Sequence, residues 1–113
     1  MTDITITEAT GTWTVRAEGA IIGESSNALE LREEGHAPVI YFPRADIAMK
    51  FFDPVAHSSV CPAKGTASYY SVITKSRTIE KAAWSYEDPS VEMNQIKEHL
   101  AFHTSEFIAI DQV

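Results

Sequence analysis

The chain has 113 residues, 44% of them hydrophobic and 22% charged, with a formal net charge of −7 from 16 acidic and 9 basic side chains. A chain of this length makes one domain that buries roughly two-thirds of the surface exposed by its unfolded form, and its composition excludes a disordered polymer. The acidic balance opposes the counterion release by which proteins hold DNA or RNA, so no nucleic-acid polymer is expected as a partner.

The start, Met1-Thr2-Asp3-Ile4, lacks the basic lead and apolar stretch of a secretory signal. No apolar run approaches the ~20 residues that cross a bilayer, which points to the cytoplasm and to no membrane partner. Residues 2–7 alternate Ile4 and Ile6 with polar neighbours, and residues 12–16 alternate Trp13 and Val15. That is the period of half-buried strands, with Gly11 turning between them. Residues 19–23 form a short apolar run with glycine at each end and predict a third strand.

Residues 27–34 support two readings. Ser26 would cap a helix through residues 28–33, stopped by Gly35. The spacing of Leu29 and Leu31 also fits a strand, paired with the β-rich residues 38–42 in a hairpin closed by Glu34-Gly35-His36. Beyond Pro43, residues 44–52 place Ile47, Met49, Phe51 and Phe52 in a pattern that predicts a short helix, stopped by Asp53-Pro54. Residues 57–65 read as loop, and residues 66–73 and 78–86 as an aromatic-rich hairpin. After Asp88-Pro89, Ser90 would cap a short helix bearing Met93, Ile96 and Leu100, and residues 107–110 read as a closing strand. No repeat or Pro/Gly/Ser linker divides the chain. The expectation is a single domain over residues 1–113, mainly β and antiparallel, with one or two short helices. An exposed sheet edge in such a fold would let two copies pair as a homodimer.

Three ordered segments, 41–47 (Tyr-Phe-Pro-Arg-Ala-Asp-Ile), 61–70 (Cys-Pro-Ala-Lys-Gly-Thr-Ala-Ser-Tyr-Tyr) and 83–89 (Ala-Trp-Ser-Tyr-Glu-Asp-Pro), together with Glu24-Ser25 and residues 96–102, resemble a bacterial family. It is catalogued as domain of unknown function 427 and sometimes labelled nucleotidyltransferase-like. The resemblance covers nearly the whole chain. It implies a compact β fold similar to the tent-shaped sheets of zinc-binding Mss4-like proteins without their paired cysteines. It also favours a strand at residues 28–31 and turns residues 100–102 towards strand. Ala63 stands where an aromatic residue is usual in the family, and His103 where tyrosine is common; both departures alter a pocket wall. The nucleotidyltransferase label finds no chemical support in the sequence, which has neither a Gly-rich phosphate loop nor a paired-aspartate motif for Mg²⁺. No cofactor is expected.

Cys61 stands alone, so it forms no internal disulfide and no paired-cysteine zinc centre, and no metal site is expected. It reads first as a small buried hydrophobe at a turn. With Lys64 three positions on, the alternative is a thiol of raised thiolate fraction with His57 or His36 as base. Lys64-Gly65 is a candidate anion-binding element, because glycine opens backbone N–H groups and the ammonium supplies charge; a turn with a solvated lysine is the plain alternative. Arg44 is a bidentate partner for carboxylate or phosphate, or else a salt bridge to Asp46 or a nearby glutamate. Trp84 and Tyr86 at period two, with Tyr69 opposite, would make a stacking wall for a flat ligand. Glu33 and Glu34 read as solvated surface. The leading functional expectation is therefore a pocket of Arg44, Lys64, Tyr69, Trp84 and Tyr86 for a small anionic, nucleotide-like ligand. The alternatives are a thiol-dependent enzyme or redox sensor on Cys61, and a protein-interaction module without chemistry.

Overall fold

The computed structural model describes residues 3–113, so Thr2 of the first predicted strand lies outside the described residues. The chain is mainly β. In order, its strands are β1 (Ile4–Glu8), β2 (Trp13–Ala17), β3 (Ala20–Ser25), β4 (Leu29–Glu33), β5 (Val39–Tyr41), β6 (Phe52–Cys61), β7 (Gly65–Ile73), β8 (Thr78–Ser85), β9 (Ala101–Phe102) and β10 (Ile108–Gln112). They form three antiparallel sheets with strand orders β1-β4-β5, β10-β2-β3 and β6-β7-β8-β9.

The ambiguity at residues 27–34 resolves as strand. Leu29, Glu30 and Leu31 of β4 pair with Tyr41, Ile40 and Val39 of β5, so the period-two burial of Leu31 and Tyr41 outweighs the helix propensity of the Ala-Leu-Glu segment. The predicted helix at residues 44–52 is instead a pair of 3-10 turns, Arg44–Asp46 and Met49–Phe51. Between them Ile47 is extended (φ −113°, ψ 137°) and bridges to Gly23. Gly23 permits that approach, because a Cβ there would press on Ile47 Cδ1 and lie 2.9 Å from Val15 Cγ1.

Residues 57–61, read as loop, belong to β6, and Pro54, read as a stop, lies inside it. Among the described residues β6 pairs only with β7, from Phe52↔Val72 to Cys61↔Gly65, with an irregularity between Val55 and Ser58. An edge strand leaves one row of backbone groups to water, so it tolerates proline and a run of exposed polar residues that carry no strand signal. The helix predicted after Ser90 is the short 3-10 segment Val91–Ile96, which buries Met93 and Ile96. Ser90 caps nothing; its hydroxyl donates to the Ala63 carbonyl at 3.0 Å. Leu100 lies beyond the turn and exchanges two backbone hydrogen bonds with Phe42, each 2.8 Å, as the strand reading of that segment requires.

Away from its exposed edge strand β6, the four-stranded sheet is covered on both faces. One face meets the β10-β2-β3 sheet through Tyr70, Val72, Ala83 and Phe102 against Val15, Ile22 and Ile108. The other meets the β1-β4-β5 sheet through Ala67, Ala101 and Tyr86 against Leu31 and Tyr41. Alternation along β7 and β8 therefore decides the company of each functional candidate.

Candidate ligand-binding site

Tyr69 and Trp84 are paired directly across β7 and β8, so both rings project from the face that meets the β1-β4-β5 sheet. They are half-buried and extended by two histidines. The His57 ring lies 4.8 Å from Tyr69 between centroids, and His103 sits 4.5 Å from Trp84 and stacks near-parallel on Tyr69 at 6.5 Å. Burial holds the His103 imidazole below its usual pKa. Ser59 and Tyr69 share a hydroxyl hydrogen bond of 2.9 Å at the open side of this row.

Tyr41 adds a buried phenol to the row. Its hydroxyl accepts a hydrogen bond of 3.2 Å from the Trp84 indole, and the two rings meet edge to face. Burial pushes the Tyr41 phenol up to about 12, and the nearby Cys61 and Glu33 add to the rise while the Trp84 bond opposes it.

Lys64 is only 8% exposed. Its ammonium donates to Glu33 at 3.0 Å and lies 6.0 Å from the centre of the Tyr86 ring. Burial works against the lysine charge, yet the Glu33 bond and the surrounding acidic groups outweigh it, so its pKa is raised. The Tyr86 phenol is pushed up to about 12, chiefly by burial. The hairpin loop that delivers Lys64 is tightly held. Lys64 N–H bonds Cys61 C=O at 3.1 Å, and the Lys64 carbonyl accepts from Ser90 N–H at 3.1 Å. Gly65 follows at φ +115°, a conformation that needs no Cβ.

The structure thus brings Lys64, Tyr69, Trp84, Tyr86 and Cys61 to one face and adds Tyr41, Glu33 and His103. Lys64 is not solvated in a turn: it is buried and paired. Glu33, read as surface, is its partner. The join was hidden because 31 residues separate the two.

Arg44 is not part of this group. It stands on the opposite face of the same sheet, where its guanidinium donates to Glu98 C=O (3.0 Å), Tyr70 Oη (3.4 Å), Ser85 Oγ (3.2 Å) and the Glu87 carboxylate. Its salt bridge is to Glu87, and Asp46 instead accepts from Ser25 Oγ at 2.7 Å. Four acceptors around one planar fork make Arg44 a tie between β7, β8 and the segment before β9.

The histidine candidates are also separated from Cys61. His57 lies four residues away on the same strand, which at about 3.3 Å per residue puts their backbones roughly 13 Å apart, beyond a thiol–imidazole hydrogen bond. His36 sits exposed in the turn between β4 and β5. Among the described residues no three His, Cys, Asp or Glu side chains gather as a metal-holding group, and no helix is long and apolar enough to cross a membrane. Of the two family departures, His103 joins the aromatic row and Ala63 lines a separate concavity of about 530 Å³ with Pro62, Ser90 and Met93.

A family model described as a domain of unknown function (DUF427) matches residues 5–112. None of the curated proteins matches the chain.

Proposed function

The chain belongs to the family of domain of unknown function 427, and from that premise we propose that it is a small-ligand-binding domain, working in the bacterial cytoplasm, where a lone thiol such as Cys61 stays reduced. The ligand is flat and anionic, nucleotide-like in having an aromatic ring beside an acidic group. Its ring lies against Tyr69, Trp84 and His103, and its acidic group reaches Lys64.

The observation that carries this reading is the Lys64–Glu33 pair on the same face of the sheet as a half-open aromatic row in which Tyr41 is hydrogen-bonded to Trp84. A lysine in a hairpin loop can extend into water at little cost, whereas burying an ammonium costs several kcal/mol unless a partner offsets it. An inward lysine held by one carboxylate can exchange that carboxylate for a ligand's acidic group. The stacking rings supply the sequence-tolerant π contact that bases and other flat heterocycles use.

The test is a thermal-shift screen of nucleotides with and without Mg²⁺, sugar phosphates and aromatic carboxylates against the wild type, Lys64→Met and Glu33→Gln. A ligand at about 100 times its Kd adds roughly 2.7 kcal/mol, a rise of several degrees. That rise is expected to vanish in Lys64→Met and to grow in Glu33→Gln, where the ammonium has lost its competitor. Binding retained by Lys64→Met, or weakened by Glu33→Gln, overturns the reading. No response to any compound turns attention to a protein-interaction role.

A further inference from the structure

At the other end of β7 from the Lys64 loop lies a concavity of about 690 Å³, in the size range of small-molecule sites. Gly65 and Ile73 are the two ends of that strand, about 26 Å apart at ~3.3 Å per residue, so this cavity is independent of the site around Lys64. Its walls are the β2–β3 hairpin, the 3-10 turn ending at Phe51 and the turn after β7; Ile21, Ile22, Phe51 and Ile73 make its apolar lining. Two of these are large hydrophobic side chains left to solvent, Ile21 at 51% and Phe51 at 38% exposure. Adjacent exposed apolar side chains around a hollow mark a binding surface more than isolated ones do.

The rim gives the second clue. Lys75 lines the cavity and makes no ion pair among the described residues, and the Lys50 ammonium lies 5.2 Å from the centre of the Phe51 ring, also without an acidic partner there. The one acid of the lining, Glu18, is turned to other work. Its carboxylate accepts from the hydroxyls of Thr74 and Ser76 and from the Arg77 guanidinium, and the Thr74 bond first, with Arg77 next, holds its pKa below the usual value. A protein of net charge −7 thus places two uncommitted lysines beside its apolar hollow and neutralises the neighbouring acid.

We propose that this cavity binds an amphiphilic carboxylate, with an apolar body seated between Ile21, Phe51 and Ile73 and an acidic head met by Lys75 and Lys50. The apolar body supplies the affinity by leaving water, and the rim lysines select the sign of the head group.

The test uses octanoate and octylamine, which share an apolar chain and differ in charge, each titrated into ¹⁵N-labelled protein. Octanoate is expected to shift the amides of Ala20, Ile22 and Thr74 saturably, and octylamine is not. Lys75 is exposed, so Lys75→Glu leaves the fold intact; it is expected to weaken octanoate at least about fivefold. Ile21→Ser is expected to weaken it as well. Equal binding of octylamine, unchanged octanoate affinity in Lys75→Glu, shifts centred on Trp84 and Lys64 instead, or no saturable shift at all would each overturn the proposal.

Discussion

Arg44 and Glu87, 43 residues apart in sequence, close an ion pair across the top of the β7–β8 pair. The same guanidinium is the donor that Ser85 Oγ and the Glu98 carbonyl receive. Ser85 is fully buried. Removing the guanidinium therefore leaves acceptors without a partner in a place water reaches poorly, a larger cost than the loss of a partly exposed ion pair. Arg44→Ala is expected to lower stability by about 2 kcal/mol in urea unfolding, and Arg44→Lys to recover little, because a single ammonium cannot span the fork's acceptors. Full recovery by lysine would mean that charge alone matters here.

Lys64 and Glu33 form the opposite case, two charges that each make the other's burial tolerable. Lys64→Met leaves Glu33 facing its apolar surroundings alone and is expected to cost on the order of 1–2 kcal/mol, discounted for the water that still reaches the carboxylate. Adding Glu33→Leu should return most of that loss, so a double-mutant cycle in denaturant is expected to be strongly non-additive. Additive losses would show that the pair is not energetically coupled.

Two phenols make the fold sensitive to alkali. Tyr41 and Tyr86 are both raised from 10.0 to about 12, chiefly by burial, so the folded state holds their protons after the unfolded state has released them. With more protons bound when folded, stability falls as pH rises from about 10 to about 12 and is unaffected by these groups below that window. Two pH units at about 1.4 kcal/mol each make the loss on the order of 2–3 kcal/mol for Tyr41, and less for Tyr86, whose charge is better screened by water. Absorbance titration at alkaline pH should show Tyr41 and Tyr86 ionising late, together with unfolding. Tyr41 and Tyr86 titrating near 10 in folded protein would contradict this.

Gly23 sets a steric limit between β3 and the turn at residues 46–47. An added methyl would meet Ile47 Cδ1, Val15 Cγ1 and the Asp46 carbonyl, and the backbone oxygen cannot swing aside as a side chain can. Gly23→Ala is expected to cost about 2 kcal/mol by overpacking, read from the urea midpoint. A neutral result would show that the 3-10 turns at residues 44–51 shift easily.

His103 gives a spectroscopic check on the aromatic row. Burial lowers its pKa, so its ring should titrate below 6.5 in an NMR pH series, and whatever stability the neutral ring contributes is lost as pH falls through that midpoint. Replacing Trp84 by alanine uncovers the ring and should move the midpoint back towards 6.5. An unchanged midpoint would assign the burial to other neighbours.

The strand framework was legible in the sequence wherever one face is buried and the other wet. Ile4 and Ile6, Trp13 and Val15, and Leu29 and Leu31 all advertise their period. β6 was not legible, because an edge strand with His57, Ser58 and Ser59 facing water has no apolar face to repeat. Residues 44–52 misled because Ile47, Met49, Phe51 and Phe52 read as one helix face, whereas Ile47 and Phe52 enter the core with Met49 packed against it and Phe51 is left to solvent. At the site, the alternation of Tyr69 against Trp84 was readable from two adjacent strands. Glu33 against Lys64 and Arg44 against Glu87 were not, since ion pairs between distant segments leave no local pattern. His103 carried one signal, as a departure from the family's tyrosine, and it stands on the face where that departure would be felt.

The pairing of β10 with β2, Ile108 opposite Ala17 and Gln112 opposite Trp13, has a consequence for biosynthesis. A strand made early must wait for one made late before its sheet is complete, and until then Val15 and Ile22 lack the neighbour that covers them. Contacts of such long sequence separation fold slowly, because the loop between them must close before the pairing rewards it. While β10 is still within the ribosome, the β2–β3 hairpin therefore lacks its pairing partner and the side chain of Ile108 that covers its apolar face, the kind of exposed edge that favours aggregation.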